Sequence, residues 1–382
     1  MKVSFPKFLR APIDRLVQFA VLQCCRRQIP DLVLGRSLPL DKKMDVLADW
    51  LEALYARGIF SGSVLVAKSG KIYFEKHYGF TDLDEAVPLS SHASFSIASV
   101  TKQFTAMGIL LLARKGKLAL DDKLARYIPE LVDYGEITVS QLLHHISGVP
   151  DHMELAAEHW DAKTILTTND MIALFEKYRP QLHFAPGEKF EYSNTGYVLL
   201  GEIISRVSGT PYAEFMADEI FRPLGMKDSA AFNLSSKECT LRCRVFGLRK
   251  RFICFGRKVR CDLNYLDGLF GDAGICASAE DLLRWDAALR GGTLLPNEIY
   301  REAYVSGKLN NGEATGYGFG WEIRASNVVD HFGEWEGFTS YVRRDLKKHT
   351  FLVVLSNLGP AAYVKAMSTE LEAFVENIEF GG

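Results

Sequence analysis

Three short groups in the chain carry residue types that do chemistry together: Ser99-x-x-Lys102, Tyr192-Ser193-Asn194 and His331-Phe332-Gly333. Ser99 and Lys102 stand three apart where an apolar run begins, and on a helix that spacing puts both side chains on one face, so the amine reaches the hydroxyl. A serine hydroxyl is a poor nucleophile at neutral pH until a base takes its proton. A lysine desolvated beside it is a candidate for a neutral, proton-sharing amine. Tyr192 can do the same work as a phenolate or a hydrogen-bonded phenol, its charge favoured by a nearby ammonium, so Lys102 and Tyr192 are read as a coupled pair. Asn194 has one acceptor and two donors and can orient Lys102 and a substrate amide together. His331 sits at a predicted strand end, and Gly333 beside it lets a substrate backbone approach closely. An unperturbed imidazole is cationic in mild acid and neutral by about pH 8, so His331 is expected to attract an anionic substrate less as pH rises.

These residues need a rigid frame. Phe104 to Ala113 is apolar on nearly every side, which suits a helix buried all round, stopped at Gly116 in the left-handed position with Arg114, Lys115 and Lys117 near its negative end. Before it, Met44, Leu47, Ala48, Leu51 and Leu54 recur at helical spacing, and Ser63–Lys68 and Lys71–Tyr78 read as a hairpin turned by Ser69-Gly70. Helices are expected over Val139–His145, Asn169–Tyr178, Gly196–Val207 and Tyr212–Ile220. Strands return at Tyr317–Ile323, Val328–His331, Phe338–Arg344 and Phe351–Asn357, followed by a helix over Ala361–Val375. Strands at both ends with helices between predict an α+β fold: an antiparallel sheet built from both chain ends, flanked by helices, with a helical part inserted and the site in the cleft between them. The expected division is a basic leader or amphipathic segment over 1–40 and one domain over 41–382, its sheet part 41–96 and 316–382 and its mainly helical part 97–315.

Across all 382 residues the net charge is −2, with 48% hydrophobic and 24% charged residues, which gives no pointer to nucleic acid. The seven cysteines are odd in number and unevenly spread, so disulfides are not expected to hold the fold, and free thiols favour a reducing compartment. Lys2, Lys7, Arg10 and Arg15 precede a short apolar run, Leu16–Leu22, too short to span a bilayer and followed by Arg26-Arg27 where a signal would be cleaved. It reads as a basic amphipathic helix lying on the protein or on a membrane surface, with a cytoplasmic or peripheral-membrane location favoured over export. Between Glu238 and Asp262 there is no acidic residue, while arginines and lysines accumulate around Phe252-Ile253-Cys254-Phe255. Its four cysteines, at 239, 243, 254 and 261, lack the C-x-x-C spacing of zinc ribbons, so no metal is expected. A solvated hairpin at the cleft rim is expected instead, a second candidate for touching anionic lipid or an anionic substrate. His145 is read as structural, at a helix end.

The three ordered motifs resemble those of the class C β-lactamase, penicillin-binding protein and related serine esterase family, in which S-x-x-K, Y-x-N and a third K/H-x-G element surround one cleft. The resemblance runs from about Met44 to Phe374 and takes in Leu142–Pro150, Phe184–Glu188 and Gly271–Gly274. It implies a β-lactamase/DD-peptidase-like fold and a serine hydrolase acting through an acyl-enzyme on Ser99, with no metal or organic cofactor. It also implies an oxyanion held by the backbone N–H groups of Ser99 and Glu334. β-Lactamases of this kind usually carry lysine in the third motif, and His331 there is what esterase-like and peptidase-like relatives show. The expectation is therefore an esterase-like enzyme, or one acting on D-amino-acid peptides, with weak or no β-lactamase activity. The alternatives are a β-lactamase or DD-peptidase proper, and a penicillin-sensor-like domain that is acylated without turnover. The expected partner is a small-molecule or peptide substrate.

Overall fold

The computed structural model describes residues 20–32, 38–84, 86–235, 241, 243–252, 255–325 and 327–380. Six strands form the central sheet: β1 (Gly62–Lys68), β2 (Lys71–Tyr78), β3 (Glu322–Ala325), β4 (Val328–Trp335), β5 (Phe338–Asp345) and β6 (Thr350–Ser356). Their order is β2-β1-β6-β5-β4-β3, with every neighbouring pair antiparallel. The N-terminal hairpin thus joins the C-terminal strands at β1 and β6, where Val64 faces Val354 and Val66 faces Leu352. Ser69 and Gly70 both have positive φ (51° and 85°), the condition for a tight two-residue turn.

Both faces of the sheet are covered, which is why β1 and β6 read as continuous apolar runs and not as alternating ones. Val64, Val66, Leu352 and Val354 point to a layer made by α1 (Leu40–Ala56) and α5 (Ala361–Glu376), packing with Leu47, Leu51, Leu54, Met367 and Leu371. Leu65, Ala67, Phe351, Val353 and Leu355 point the other way, into the larger core with α2 (Lys102–Arg114), α3 (Asn194–Ser208) and α4 (Ala279–Gly291). Residues 102 to 112 of α2 are buried on every side, and Gly116 follows with φ 67°. This is an α+β fold.

One tie between sheet and helices carries charge. Arg344 on β5 donates through Nε to Asp286 Oδ1 of α4 at 2.7 Å, both side chains are more than nine-tenths buried, and Arg344 also bonds Tyr304. Replacing Arg344 by methionine leaves the Asp286 carboxylate buried without its cation. Urea unfolding is expected to show a loss of about 3–5 kcal/mol, and a loss under about 1 kcal/mol would mean that water reaches Asp286.

The structure departs from the sequence-based expectations in four places. Tyr317–Trp321 is not a strand, since the strand begins at Glu322. Alternation in Tyr317-Gly318-Phe319-Gly320-Trp321 imitates a strand, but it buries three aromatic rings while the chain presses on the start of α2. A Cβ on Gly320 would lie 2.6 Å from Gln103 N and 2.7 Å from Lys102 C. The next strand runs on past His331 to Trp335. The helix from Tyr212 ends as α-helix at Met216 and continues as a wider π turn over Ala217–Phe221. The helix begun at Val139 ends at Leu143, and His145 takes the left-handed conformation (φ 57°) beyond it.

Residues 1–19 and 33–37 lie outside the described residues, as do Cys239 and Cys254. Residues 20–28 are helical, and Cys25 and Ile29 are buried in the layer of α1 and α5. Arg26 pairs there with Glu370 of α5 at 2.7 Å. No helix among the described residues is long and apolar enough to cross a membrane. The basic segment forms a hairpin, Leu248–Phe252 with Phe255–Arg260, whose first strand runs parallel to Leu358–Gly359.

Candidate active site

Ser99 lies in a tight 3-10 turn, Ala98–Thr101, that leads directly into α2. Ala98 is held at φ 45°, a strained conformation for a residue with a Cβ, so the surroundings fix the serine's backbone. Lys102, on the first turn of α2, is fully buried. Its three ammonium donors are matched by three acceptors: Ser99 Oγ at 3.2 Å, Asn194 Oδ1 at 2.9 Å and the Asp272 carbonyl at 3.0 Å. Burial lowers its pKa to about 8, against the Asp272 and Asp151 carboxylates, which raise it. The amine is therefore close to giving up its proton at neutral pH.

Asn194 opens α3, and both its backbone N–H and its Nδ2 donate to Asp151 Oδ2, at 2.9 and 3.1 Å. That fixes the side-chain amide with Oδ1 towards Lys102 and leaves one Nδ2 hydrogen for a substrate carbonyl. Asp151 is the N-cap of the helix His152–His159, accepting from Met153 N through its other oxygen.

Tyr192 stands over Lys102, whose Nζ lies 4.8 Å from the ring centroid, and its hydroxyl faces Ser99. Desolvation holds its pKa well above 10, although the Ser99 contact works the other way. The side chain is 37% exposed, so the opening to the cleft moderates that push without reversing it. Tyr192 is a neutral phenol, and of the coupled pair it is the lysine that carries the accessible proton equilibrium.

His145 is wedged beneath this tyrosine, ring centroids 4.2 Å apart. Its carbonyl accepts from Glu191 N at 3.0 Å and its Nδ1 from Ser193 N at 3.2 Å, clamping the loop on both sides of Tyr192. Burial pushes the imidazole well below its usual pKa. The ring is neutral, so it offers no charge to the helix end; it shapes the loop.

His331 is also buried, with 1% of its surface exposed. Nδ1 donates to the Phe332 carbonyl at 2.6 Å, which leaves Nε2 to accept from the Tyr317 hydroxyl at 2.9 Å. Burial first, and then the charge of Lys102, push its pKa down to about 3. The expected titration of His331 across neutrality is therefore replaced by a permanently neutral imidazole. The ratio of kcat/KM for an anionic over a neutral substrate is expected to owe nothing to His331 between about pH 5.5 and 8. A severalfold fall in that ratio that disappears in His331→Gln would contradict the neutral assignment.

Gly333 is the point of closest approach between β4 and the serine turn. A Cβ there would collide with the Ile97 carbonyl and Ser340 Oγ and lie 3.0 Å from Ser99 N. The Ser99 N–H thus lies against the strand one residue before Glu334, whose exposed carboxylate turns away to Lys365 Nζ at 2.8 Å. An open pocket of ≈ 140 Å³ is lined by Ser99, Asn194, Asp272, Gly274, Glu334 and Trp335 among others.

Ser99, Lys102, Tyr192, Asn194, Gly333 and Glu334 therefore converge on one cleft, with His331 just behind it. The sequence reasoning did not single out Asp151, the Asp272 carbonyl or Tyr317. Asp151 carried a signal, an aspartate in N-cap position after Pro150. Asp272 lies within Gly271–Gly274, a stretch that the family resemblance takes in, but nothing there marks its carbonyl as an acceptor, and Tyr317 carried no signal.

A buried lysine bonded to a serine at the mouth of a core helix, facing a tyrosine and a glycine-bearing strand, defines an active-site-serine acyl hydrolase. Comparison with known proteins agrees. The family model described as Beta-lactamase matches residues 47–374, and the chain belongs to that family. Penicillin-binding protein 4* of Bacillus subtilis (strain 168) is 33% identical over 344 residues, covering 86% of this chain and 74% of that protein. Protein flp of Staphylococcus aureus (strain MW2) is 30% identical over 329 residues, covering 82% of this chain and 63% of that longer protein. Among solved structures, D-amino acid amidase from Ochrobactrum anthropi SV3, complexed with L-phenylalanine amide, superposes with a TM-score of 0.69 at 25% identity. That match covers 86% of this chain and 95% of the amidase.

Proposed function

We propose that the protein hydrolyses esters or amides of D-amino-acid type through an acyl-enzyme on Ser99, with little β-lactamase activity. The observation that carries the reading is the Lys102 amine, buried, bonded to Ser99 Oγ and lowered to about 8. In acylation, Ser99 Oγ attacks the substrate carbonyl and its proton passes to neutral Lys102. The resulting oxyanion accepts from the N–H groups of Ser99 and Glu334. The Tyr192 phenol gives its proton to the departing amine or alcohol and regains one from the Lys102 ammonium, which restores both groups. Water then repeats the sequence on the acyl-enzyme and releases the acid. Asn194 Nδ2 holds the acyl side, and His331 with Tyr317 supports the strand.

Two features support the substrate class. Among the described residues no lysine or arginine lines the pocket, and His331 is neutral, so nothing at the third motif offers a fixed charge to the carboxylate of a β-lactam. The resemblance in fold to a D-amino acid amidase points the same way. A panel of D- and L-alanine p-nitroanilides, p-nitrophenyl esters and nitrocefin tests it. D-Alanine anilide or ester turnover is expected to exceed nitrocefin turnover by roughly a hundredfold or more in kcat/KM. Nitrocefin as the best substrate would overturn the reading, and a burst without turnover on every substrate would instead favour an acylated sensor.

A further inference from the structure

The pocket contains one carboxylate that the mechanism above does not use and that no cation among the described residues neutralises. Asp267 lines the cavity with Ser99. Its Oδ1 accepts from Trp335 Nε1 at 2.8 Å and its Oδ2 from Asn264 N at 2.6 Å, so the side chain is held rigidly with a lone pair left on each oxygen. Its charged neighbours are Glu336 and Asp262, both of its own sign, and among the described residues no lysine or arginine pairs with it. Arg244 lines the small hollow behind the same wall, but its guanidinium is taken by Asp262 at 2.6 Å and lies over Phe232 and Phe246. The other acids of the pocket are accounted for: Glu334 by Lys365, and Asp272 by its place beside Lys102. Burial and the like charges push the Asp267 carboxyl up to about 7. Carboxylates taken partly out of water are ordinarily paired, and among the described residues this half-buried one has no cation beside it.

We propose that Asp267 receives a primary ammonium group carried by the acyl half of the substrate, so that the enzyme selects free aminoacyl esters and amides over plain or N-blocked acyl ones. The acyl half is the one concerned because Trp335, which Asp267 holds, directly follows Glu334, where the acyl oxygen is bound. The inference rests on the acyl-enzyme reading and adds the group by which the acyl portion is recognised. A short, fixed carboxylate on the pocket wall gives an ammonium a charge-assisted hydrogen bond that a methyl or acetamido group cannot make. The same carboxylate repels substrates whose acyl half is anionic.

The test compares kcat/KM at pH about 7 for D-alanine p-nitroanilide, propionyl p-nitroanilide and N-acetyl-D-alanine p-nitroanilide, in the wild type and in Asp267→Asn and Asp267→Glu. The wild type is expected to favour the free amine by about tenfold or more over both others, Asp267→Asn to bring the three within about threefold, and Asp267→Glu to keep part of the preference. Trp335→Phe removes the indole donor and keeps the carboxylate, so it is expected to retain the preference, which a purely structural role for Asp267 would not allow. An amine preference unchanged in Asp267→Asn overturns the proposal, as does a wild type that takes the propionyl or acetylated anilide as well as the free amine. If Asp267→Asn fails to fold, inhibition of wild-type phenyl acetate hydrolysis decides: D-alaninamide is expected to inhibit about tenfold more strongly than propionamide, and equal inhibition contradicts the subsite. Labelling of Ser99 by a fluorophosphonate separates the two layers. If labelling persists while the amine preference is absent, only the Asp267 subsite falls; if Ser99 is not labelled, both readings fall.

Discussion

Replacing Lys102 by alanine is expected to lower kcat on a D-alanine anilide by roughly a thousandfold or more, with KM changed only severalfold. The amine is the one group bonded to Ser99 Oγ whose proton leaves near neutral pH. Its removal also strips a donor from Asn194 Oδ1 and from the Asp272 carbonyl, so part of the loss will come from a loosened cleft. The pH profile separates these contributions. With the active form the neutral amine and its pKa at about 8, wild-type kcat/KM should rise close to tenfold per unit below about pH 7 and level off above about 8.5. Measured on phenyl acetate, which has no ammonium for Asp267 to meet, Lys102→Ala should lose that ascending limb altogether. A variant that kept the limb would show that another group supplies the base.

Tyr192→Phe is expected to cost roughly a hundredfold in kcat, again with KM within severalfold. The phenol stays protonated at every working pH because burial holds it well above 10, so its part is to deliver a proton to the leaving group and to take one back. The loss should therefore depend on the leaving group. A p-nitrophenolate departs without help, and Tyr192→Phe should be mild on that ester; an alkyl amide needs the proton, and there the loss should be full. Equal losses on both would assign Tyr192 to orienting Lys102 alone. The ring stays over the amine in phenylalanine, so the cation–π contact is retained while the hydroxyl is lost.

Much of this site is legible in the sequence, because its reacting groups come as short motifs on regular elements. The serine and lysine share a helix start, and the depth of α2 follows from its unbroken apolar run. The sheet that joins both ends of the chain is written in β1 and β6, whose residues are apolar on both faces because both faces are covered. What the sequence hides is what burial and distance decide. His331 has the composition of a pH sensor, and only its enclosure beside Lys102 and Tyr317 makes it neutral. His145 stands at a helix end where a cation would be welcome, yet it is enclosed and clamps the loop of Tyr192. The acceptor at Asp272 is a main-chain carbonyl 170 residues from Lys102, and every residue has a carbonyl. The segment Tyr317–Trp321 misleads for a related reason: its alternation is real, but it serves aromatic burial and close contact with α2, not a ladder.

The central claim is that Ser99 is the atom acylated, and mass spectrometry of the intact protein tests it most directly. Wild-type protein treated with a fluorophosphonate should gain one adduct, with peptide mapping placing it on Ser99, and Ser99→Ala should gain none and lose turnover with it. An adduct of unchanged stoichiometry on Ser99→Ala would contradict the account.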